Sequence, residues 1–176
     1  RGDGLKILEE AKRRGIKTSI DLVSRSGGRY ETILSCLPYT DNLIINEAEA
    51  GLLAQTSPEN ENLRQIAQRL KEYGVRERVI IHRPELSLCL SENGFSALGS
   101  YELPQGFIAG ATGAGDAFCA GCLLEIYRGK SDSEILGFAS AAAVAALNGT
   151  DSVSGMKSEA QVRELCKNFE RKEICL

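Results

Sequence analysis

The sequence predicts a three-layer α/β fold with a mostly parallel sheet and one antiparallel hairpin. Helical segments and short apolar strands alternate along most of the 176 residues, and such alternation is typical of a parallel sheet covered by helices. One Asn-Gly pair, Asn93 and Gly94, stands between two apolar stretches and predicts a tight hairpin turn. The sequence shows no internal repeat, low-complexity tract or linker, so we predict a single domain over residues 1–176.

Composition and charge argue against several classes of protein, among them nucleic-acid-binding and membrane proteins. The chain has 43% hydrophobic and 26% charged residues, which is ordinary for a globular protein. Its 21 Lys and Arg residues against 24 Asp and Glu give a net charge of −3, so we expect neither nucleic acid nor a membrane as partner. No apolar run approaches the roughly 20 residues that span a bilayer. Six cysteines are too few for a disulfide scaffold, so we expect a cytoplasmic protein.

The first three elements are a helix, a strand and a second helix. Apolar side chains at helical spacing in residues 5–11 predict an amphipathic helix. Residues 17–23 read as a strand. The polar residues 24–29 that follow are interpreted as a loop at its carboxyl end, where ligands bind in open α/β sheets. The second helix covers residues 30–37 and ends at Pro38.

Two buried strands and two helices come next. Continuous apolar runs at residues 41–45 and 78–82 are typical of strands buried in a parallel sheet. Asn46 begins a helix directly after the first of these strands. An amphipathic helix over residues 61–73 precedes the second strand, and Gly74 ends that helix.

The remainder of the chain consists of the hairpin and three helices. The hairpin covers residues 86–98. A glycine-rich run, GATGAGD at residues 110–116, leads into a helix that ends near Gly129. An alanine-rich helix is predicted over residues 132–147, and a charged helix over residues 158–169.

The glycine-rich run has a chemical interpretation. Gly113, Ala114 and Gly115 carry almost no side chain, so their N–H groups can approach an anion where the helix begins, and the helix dipole favours negative charge there. Asp116 would repel that anion, unless it is a base that accepts a proton from an attacking hydroxyl. Alternatively, the glycines serve only a tight turn and Asp116 interacts with the dipole. The spacing excludes a P-loop and a dinucleotide fingerprint.

A second polar cluster follows the strand at residues 41–45. Asn46 and Glu49 could hold a hydrated magnesium ion together with nucleotide phosphate. The alternative is a capping box, in which the Asn side chain and the Glu three residues later satisfy amides at the start of the helix.

Two other features are interpreted as structural. Cys119 and Cys122 have C-x-x-C spacing, but no second cysteine pair stands at a zinc spacing. We expect the small residues around them to let this helix pack closely on its neighbour. His82 is the only histidine in the sequence, which excludes a histidine cluster for a metal, and a structural role is expected.

The two polar motifs together resemble those of the ribokinase-like (PfkB) carbohydrate kinases. That family has the pattern N-x-x-E followed later by D-T-x-G-A-G-D, and this chain has NEAEAGLL followed by TGAGDAFCAG. The resemblance covers essentially the whole chain. It implies the C-terminal, nucleotide-binding part of a ribokinase-like kinase domain, with the N-terminal sugar-binding strands and lid absent.

The resemblance also implies an activity and roles for particular residues. The activity would be ATP-dependent, magnesium-assisted transfer of the γ-phosphoryl group to a hydroxyl of a small-molecule sugar. Asp116 would be the catalytic base, and Glu49 and Asn46 would organise the metal and phosphates. The anion hole would consist of Gly113, Ala114 and Gly115. The nucleotide-binding residues would be Asn46, Arg83, Thr112, Gly113, Gly115, Ser140 and Ala143.

The chain departs from the family pattern at two places, and this leaves other functions open. Gly110-Ala111 replaces D-T, and residues 82–87 replace the usual T-x-G-x-x-G loop, where Arg83 would supply phosphate charge. The alternatives are a nucleoside kinase of the same fold and a non-catalytic regulatory relative, against which the retained Asp116 argues. A homodimer is compatible with these residues. We expect the chain to be inactive alone, because the residues that grip the sugar are missing.

Overall fold

A five-stranded sheet organises the fold. The computed structural model describes residues 2–23, 30–58 and 63–174, and its strands lie in the order β1-β2-β3-β4-β5. The first three strands pair in parallel, with Ile44 of the second opposite Asp21 of the first and Ile80 of the third. The strands are β1 Ser19–Asp21, β2 Asn42–Asn46, β3 Arg78–His82, β4 Leu86–Ser91 and β5 Gly94–Gly99.

Helices flank this sheet, and the predicted fold class is confirmed. In the described residues the helices are α1 Asp3–Arg13, α2 Tyr30–Leu34, α3 Glu47–Ala54, α4 Leu63–Glu72, α5 Ala114–Tyr127, α6 Asp132–Leu147 and α7 Glu159–Leu165. Short 3₁₀ turns cover Leu37–Tyr39 and Cys166–Asn168. Within the described part of the chain, no helix combines the length and the apolar character that crossing a membrane requires.

Three predicted boundaries are wrong. The predicted strand at residues 17–23 shortens to β1, because only its three residues pair with β2, starting at Asn42. The predicted helix at residues 30–37 ends earlier, and Pro38 lies inside a 3₁₀ turn. The last helix also ends early and continues as a 3₁₀ turn. The predicted ligand loop at residues 24–29 lies outside the described residues.

The chain forms two compact units. Of the described residues, the first unit contains those from Gly2 to Arg83 together with Leu88–Ser96, and the second contains Pro84–Ser87 and those from Ala97 to Ile174. Apolar side chains of β2, β3, α3 and α4 form the core of the first unit. Its largest fully buried side chains include Leu43, Ile44, Ile45, Leu53, Ile66, Leu70, Ile80 and Ile81.

The second unit is built on the packing of α5 against α6. A Cβ added at Gly121 would lie 2.7 Å from the Cα of Ala139, so the two helix backbones approach closely. This supports the interpretation of the C-x-x-C stretch as a packing feature, and neither Cys119 nor Cys122 forms a disulfide with a described residue. Val162 of α7 belongs to a buried apolar cluster that also contains Ala117 of α5 and Phe138 of α6.

One buried carboxylate joins the amino ends of the three parallel strands. Asp41 Oδ2 accepts hydrogen bonds from the backbone N of Thr18 (2.8 Å) and from its hydroxyl (3.2 Å). Its other oxygen pairs with Arg76 at 3.0 Å, and the side chain is 5% exposed. The Asp41 carbonyl accepts from the amides of Glu77 (2.8 Å) and Arg78 (2.9 Å). Asp41 therefore connects the segments that lead into β1, β2 and β3.

Replacing this carboxylate tests its importance. We expect Asp41→Asn to lower the free energy of unfolding by about 1–3 kcal/mol, because the amide carries no charge for Arg76 and places an NH2 donor where Oδ1 accepted from it. Urea unfolding of the chain measures the change. Asp3→Asn, at an exposed carboxylate of α1, is the matched control and should change stability little. Equal losses in the two variants would contradict the role of Asp41.

Candidate functional site

The glycine-rich turn precedes α5 in the second unit. Gly113 is the residue before the helix and has φ +84°, a conformation that favours glycine. A Cβ at this position would also lie 2.6 Å from the carbonyl oxygen of Ser152. The amide of Gly110 donates to the carbonyl of Leu147 at 3.3 Å, as does that of Ala109 at 2.9 Å. The turn is therefore attached to the carboxyl end of α6.

Open backbone amides lie at the start of α5. The Ala114 amide donates to the Ala111 carbonyl (3.3 Å) and the Ala117 amide to that of Gly113 (2.9 Å). Within the described part of the chain, the amides of Gly113 and Gly115 donate no hydrogen bond. No side chain caps this helix. Of the three amides of the predicted anion hole, those of Gly113 and Gly115 are therefore available to a ligand. The amide of Ala114 makes a long hydrogen bond to the nearby carbonyl of Ala111.

Asp116 lies in the first turn of the same helix. Its side chain is exposed. It makes no hydrogen bond or ion pair with any residue that the structure describes. Thr112, one residue before Gly113, is exposed as well. The structure thus brings together an available carboxylate and available amides, which is what a proton acceptor beside an anion site requires.

A second loop supports the turn. Asp151 Oδ1 accepts from the amides of Val153 (2.8 Å) and Ser154 (2.7 Å), which closes the loop that carries Ser152 onto Gly113. The hydrogen bond from the Ser154 amide, followed by that from Val153, lowers the pKa of Asp151. At the end of the loop, a Cβ added at Gly155 would lie 2.6 Å from the carbonyl oxygen of Ala145. The loop is therefore held between the turn and α6.

Ser140 and Ala143 lie on α6 in the same unit. Ser140 is buried, and its hydroxyl donates to the carbonyl of Leu136 one turn earlier at 2.8 Å. Its oxygen also lies 3.4 Å from the hydroxyl of Ser87, which belongs to the segment that replaces the family loop. Ala143 is half-buried. These residues can form a wall against a flat ligand, with the Ser140 hydroxyl engaged by its own helix.

Asn46 and Glu49 belong to the first unit and form a reciprocal cap. The Asn46 side chain accepts from the Glu49 amide at 2.9 Å, and Glu49 Oε2 accepts from the Asn46 amide at 3.1 Å. Glu49 is 2% exposed. The capping-box interpretation is thus confirmed. In the described residues, no group of three or more His, Cys, Asp and Glu side chains is arranged to hold a metal.

Two further residues of the first unit lie at or after the carboxyl end of β3. Arg83 is half-buried and takes part in an interaction within the protein. His82 is paired in register with Asn46. Burial lowers the pKa of His82 to about 4, so the ring is neutral at pH 7. This supports the structural interpretation of the histidine.

Sequence reasoning missed some of the features that shape this site. The proximity of Ser87 to Ser140 joins residues far apart in the chain, and no local pattern indicates it. The supporting loop has a weak signal, since Gly149 and Gly155 flank the polar stretch from Asp151 to Ser154. A glycine at each end is typical of a loop that packs tightly against backbone.

Comparison with known proteins identifies the group to which these features belong. A model of the pfkB family of carbohydrate kinases matches residues 1–158. The ribokinase from Arabidopsis thaliana, complexed with ribose and ATP, matches with 24% identity and a TM-score of 0.77, covering 93% of this chain and 52% of that one. Aminoimidazole riboside kinase from Salmonella enterica, complexed with aminoimidazole riboside and an ATP analogue, matches with 18% identity and a TM-score of 0.77, covering 93% and 57%.

A third structure extends the comparison. A putative ribokinase II from E. coli, in complex with ATP and Mg²⁺, matches with 22% identity and a TM-score of 0.74, covering 92% of this chain and 52% of that one. The chain therefore spans about half the length of the solved structures it matches. No curated protein matches the sequence.

The contact between Gly113 and Ser152 can be tested by a paired substitution. Gly113→Ala should lower the free energy of unfolding by at least about 2 kcal/mol, because the methyl group meets a positive φ angle and the Ser152 backbone. Gly129→Ala is the control, since Gly129 also has a positive φ (+67°) but nothing within 4 Å of an added Cβ. It should cost only about 1 kcal/mol. Equal losses in urea unfolding would argue against the tight contact.

The lowered pKa of His82 predicts that the free energy of unfolding depends on pH. An unfolded histidine takes up a proton near pH 6.5, whereas the native ring does so only near pH 4. Stability is therefore present above pH 6.5 and is lost as the pH falls towards 4. This loss is about 2 kcal/mol at pH 5.

Urea unfolding at pH 7.5 and pH 5.0 checks this prediction. The difference in stability between the two pH values should be smaller in His82→Gln by about 2 kcal/mol, while contributions from other groups cancel in the comparison. An unchanged difference would show that the native ring titrates normally.

Proposed function

The chain belongs to the pfkB family of carbohydrate kinases, and we propose that it is the nucleotide-binding portion of an ATP-dependent kinase that phosphorylates a sugar hydroxyl. The observation that carries this proposal is the state of Asp116. Its carboxylate is exposed and bonded to no described residue, although it stands beside the open amides at the start of α5. A degenerate relative would have no need for such an arrangement.

The proposed chemistry follows from these groups. Asp116 accepts the proton of the attacking hydroxyl as its oxygen bonds to the γ-phosphorus, while the bond from that phosphorus to the bridging oxygen breaks and ADP leaves. The amides of Gly113 and Gly115 stabilise the negative charge on the transferring phosphoryl oxygens, and the dipole of α5 adds to this effect. Because the amides are fixed by the supporting loop, little reorganisation accompanies the reaction.

Magnesium is compatible with Asn46 and Glu49 only if water molecules lie between the ion and these side chains. Mg²⁺ in nucleotide sites usually keeps several waters and contacts only one or two carboxylates in addition to phosphate. Glu49 and Asn46 already bond to each other's amides, so they would hold the ion through its water shell. When bound, the ion neutralises charge on the phosphate oxygens.

The nucleotide base would lie against α6. Ser140 and Ala143 provide a small, mostly apolar wall, and the Ser140 hydroxyl already bonds to Leu136. The base would thus be recognised by shape more than by a hydrogen bond from Ser140. Thr112 and Arg83 would contact phosphate.

A nucleoside is the second candidate acceptor. The match to aminoimidazole riboside kinase is as close in TM-score, 0.77, as the match to a ribokinase. The proposed catalytic groups are the same for both acceptors, because each presents a hydroxyl to phosphorus. A phosphorylation assay of the longer kinase with a panel of sugars and nucleosides distinguishes the two.

The role of Asp116 is tested in the full-length kinase that contains this chain. Asp116→Asn should lower kcat by about 10²–10⁴, the usual contribution of a general base, with little change in the affinity for ATP. Steady-state kinetics with the accepted sugar, together with calorimetric titration of ATP, gives both quantities.

Glu102→Gln is the control for this measurement, because it removes an exposed carboxylate of the same unit that is not part of the glycine-rich run at residues 110–116. Its kcat should remain close to that of the unmodified enzyme. If Asp116→Asn keeps near-normal turnover, Asp116 is not the base.

A further inference from the structure

A cavity of about 400 Å³ lies in the second unit, away from the glycine-rich turn. We call it the cationic pocket and define it by Tyr101, Lys130, Phe138, Arg163, Lys167 and Arg171. Its lining includes four basic side chains but only two acidic ones, Glu125 and Glu134. A volume in the range of roughly 300–1,000 Å³ suits a small molecule. None of its lining residues belongs to the proposed kinase site.

Arg171 is the central group of this pocket. It is half-buried, and its guanidinium lies 4.1 Å from the centre of the Tyr101 ring. It donates to the carbonyl of Gly99 (2.7 Å), the hydroxyl of Tyr101 (2.7 Å) and the carbonyl of Gly137 (3.4 Å). All three acceptors are neutral, and in the described part of the chain no carboxylate lies within ion-pair distance of Arg171.

These bonds hold the guanidinium in place without cancelling its charge. A guanidinium has five N–H groups, so donors remain for a ligand. A half-buried positive charge without a negative partner is costly to desolvate, and a bound anion would offset that cost. The pocket is therefore prepared for negative charge at Arg171.

Arg163 differs from Arg171 because its charge is balanced. It pairs with the buried Glu125 at 2.6 Å and with Glu159 at 2.9 Å, and it lies 4.2 Å from the centre of the Phe138 ring. Its role is to close one side of the pocket. Phe138 beside it contributes an apolar surface.

The two lysines can turn towards a ligand. Lys130 pairs with Glu134 at 3.3 Å and Lys167 with Glu164 at 2.6 Å, and all four side chains are largely exposed. Exposed pairs of this kind contribute little to stability, so a lysine can exchange its glutamate for a more strongly charged group.

We propose that the cationic pocket binds a small phosphate monoester. Arg171, whose charge no described carboxylate balances, attracts a phosphate dianion, and guanidinium donors recognise phosphate oxygens with strong charge-assisted hydrogen bonds. Arg171 holds the phosphate, Lys130 and Lys167 approach it from the rim, and the organic part packs on Phe138. This site is separate from the glycine-rich turn and does not depend on the proposed kinase activity.

Titration of the chain with glycerol 2-phosphate, followed by amide NMR at pH 7.5 and constant ionic strength, tests the proposal. We expect saturable shifts at Gly137 and Arg171 that are absent from Gly113 and Gly115. Inorganic phosphate and succinate are titrated in parallel. Binding of inorganic phosphate with equal affinity would overturn the assignment to an ester, and equally tight succinate binding would overturn the assignment to phosphate.

Three variants locate the binding. Arg171→Gln should raise the dissociation constant at least about tenfold and Lys167→Gln about threefold. Lys172→Gln removes the same charge at the adjacent exposed position, outside the lining, and should leave the constant unchanged.

Some results would overturn the proposal. They are the absence of saturation, shifts confined to the glycine-rich turn, or an effect of Lys172→Gln as large as that of Arg171→Gln. If Arg171→Gln does not fold, an unchanged dissociation constant in Lys167→Gln is sufficient to reject the pocket.

Discussion

The close approach of α5 to α6 is the constraint on which the candidate site depends. Because Gly121 lets the backbone of α5 reach Ala139, the carboxyl end of α6 comes near enough for Leu147 to accept hydrogen bonds from the segment before the turn. At the same end of the helix pair, Gly113 admits the backbone of Ser152. A side chain at either glycine would separate these backbones and shift the open amides of α5 with them.

Local signals explain which elements the sequence predicts well. The predicted bounds of α6, residues 132–147, and of β3, residues 78–82, agree with the structure. Helix α6 begins with a capping box between Ser131 and Glu134, which depends only on neighbouring residues. The ends of β1 and α2 depend on pairing with β2 and on packing around Pro38, so periodicity alone overestimates their length.

A buried carboxylate of the second unit shows more clearly that contacts between residues far apart in the chain cannot be predicted from local patterns. Glu125 stands in the middle of α5 and is 1% exposed, and its partner Arg163 comes 38 residues later. From the sequence, Glu125 could equally have been a solvated residue on the outer face of its helix. Burial of a carboxylate is tolerable only with such partners, and the fold supplies Arg163 and Arg128. The glycine-rich turn was predictable, by contrast, because its chemistry lies in consecutive residues.

The helix starts of this chain differ in a way that bears on function. Helices α3 and α6 each begin with a reciprocal side-chain cap, and at the start of α7 the side chains of Ser158 and Gln161 accept from each other's amides. Helix α5 follows Gly113 and has no side-chain cap, although a cap contributes about 1 kcal/mol to stability. Helix α1, which follows Gly2, has no side-chain cap either, but Gly2 has a negative φ of −68°. A capping side chain at this position would occupy the amides that we propose for the phosphoryl group. The positive φ of Gly113 and an Asp116 that bonds to no described residue set this helix start apart, and they support the proposal that it is open to an anion and to the proton transfer beside it.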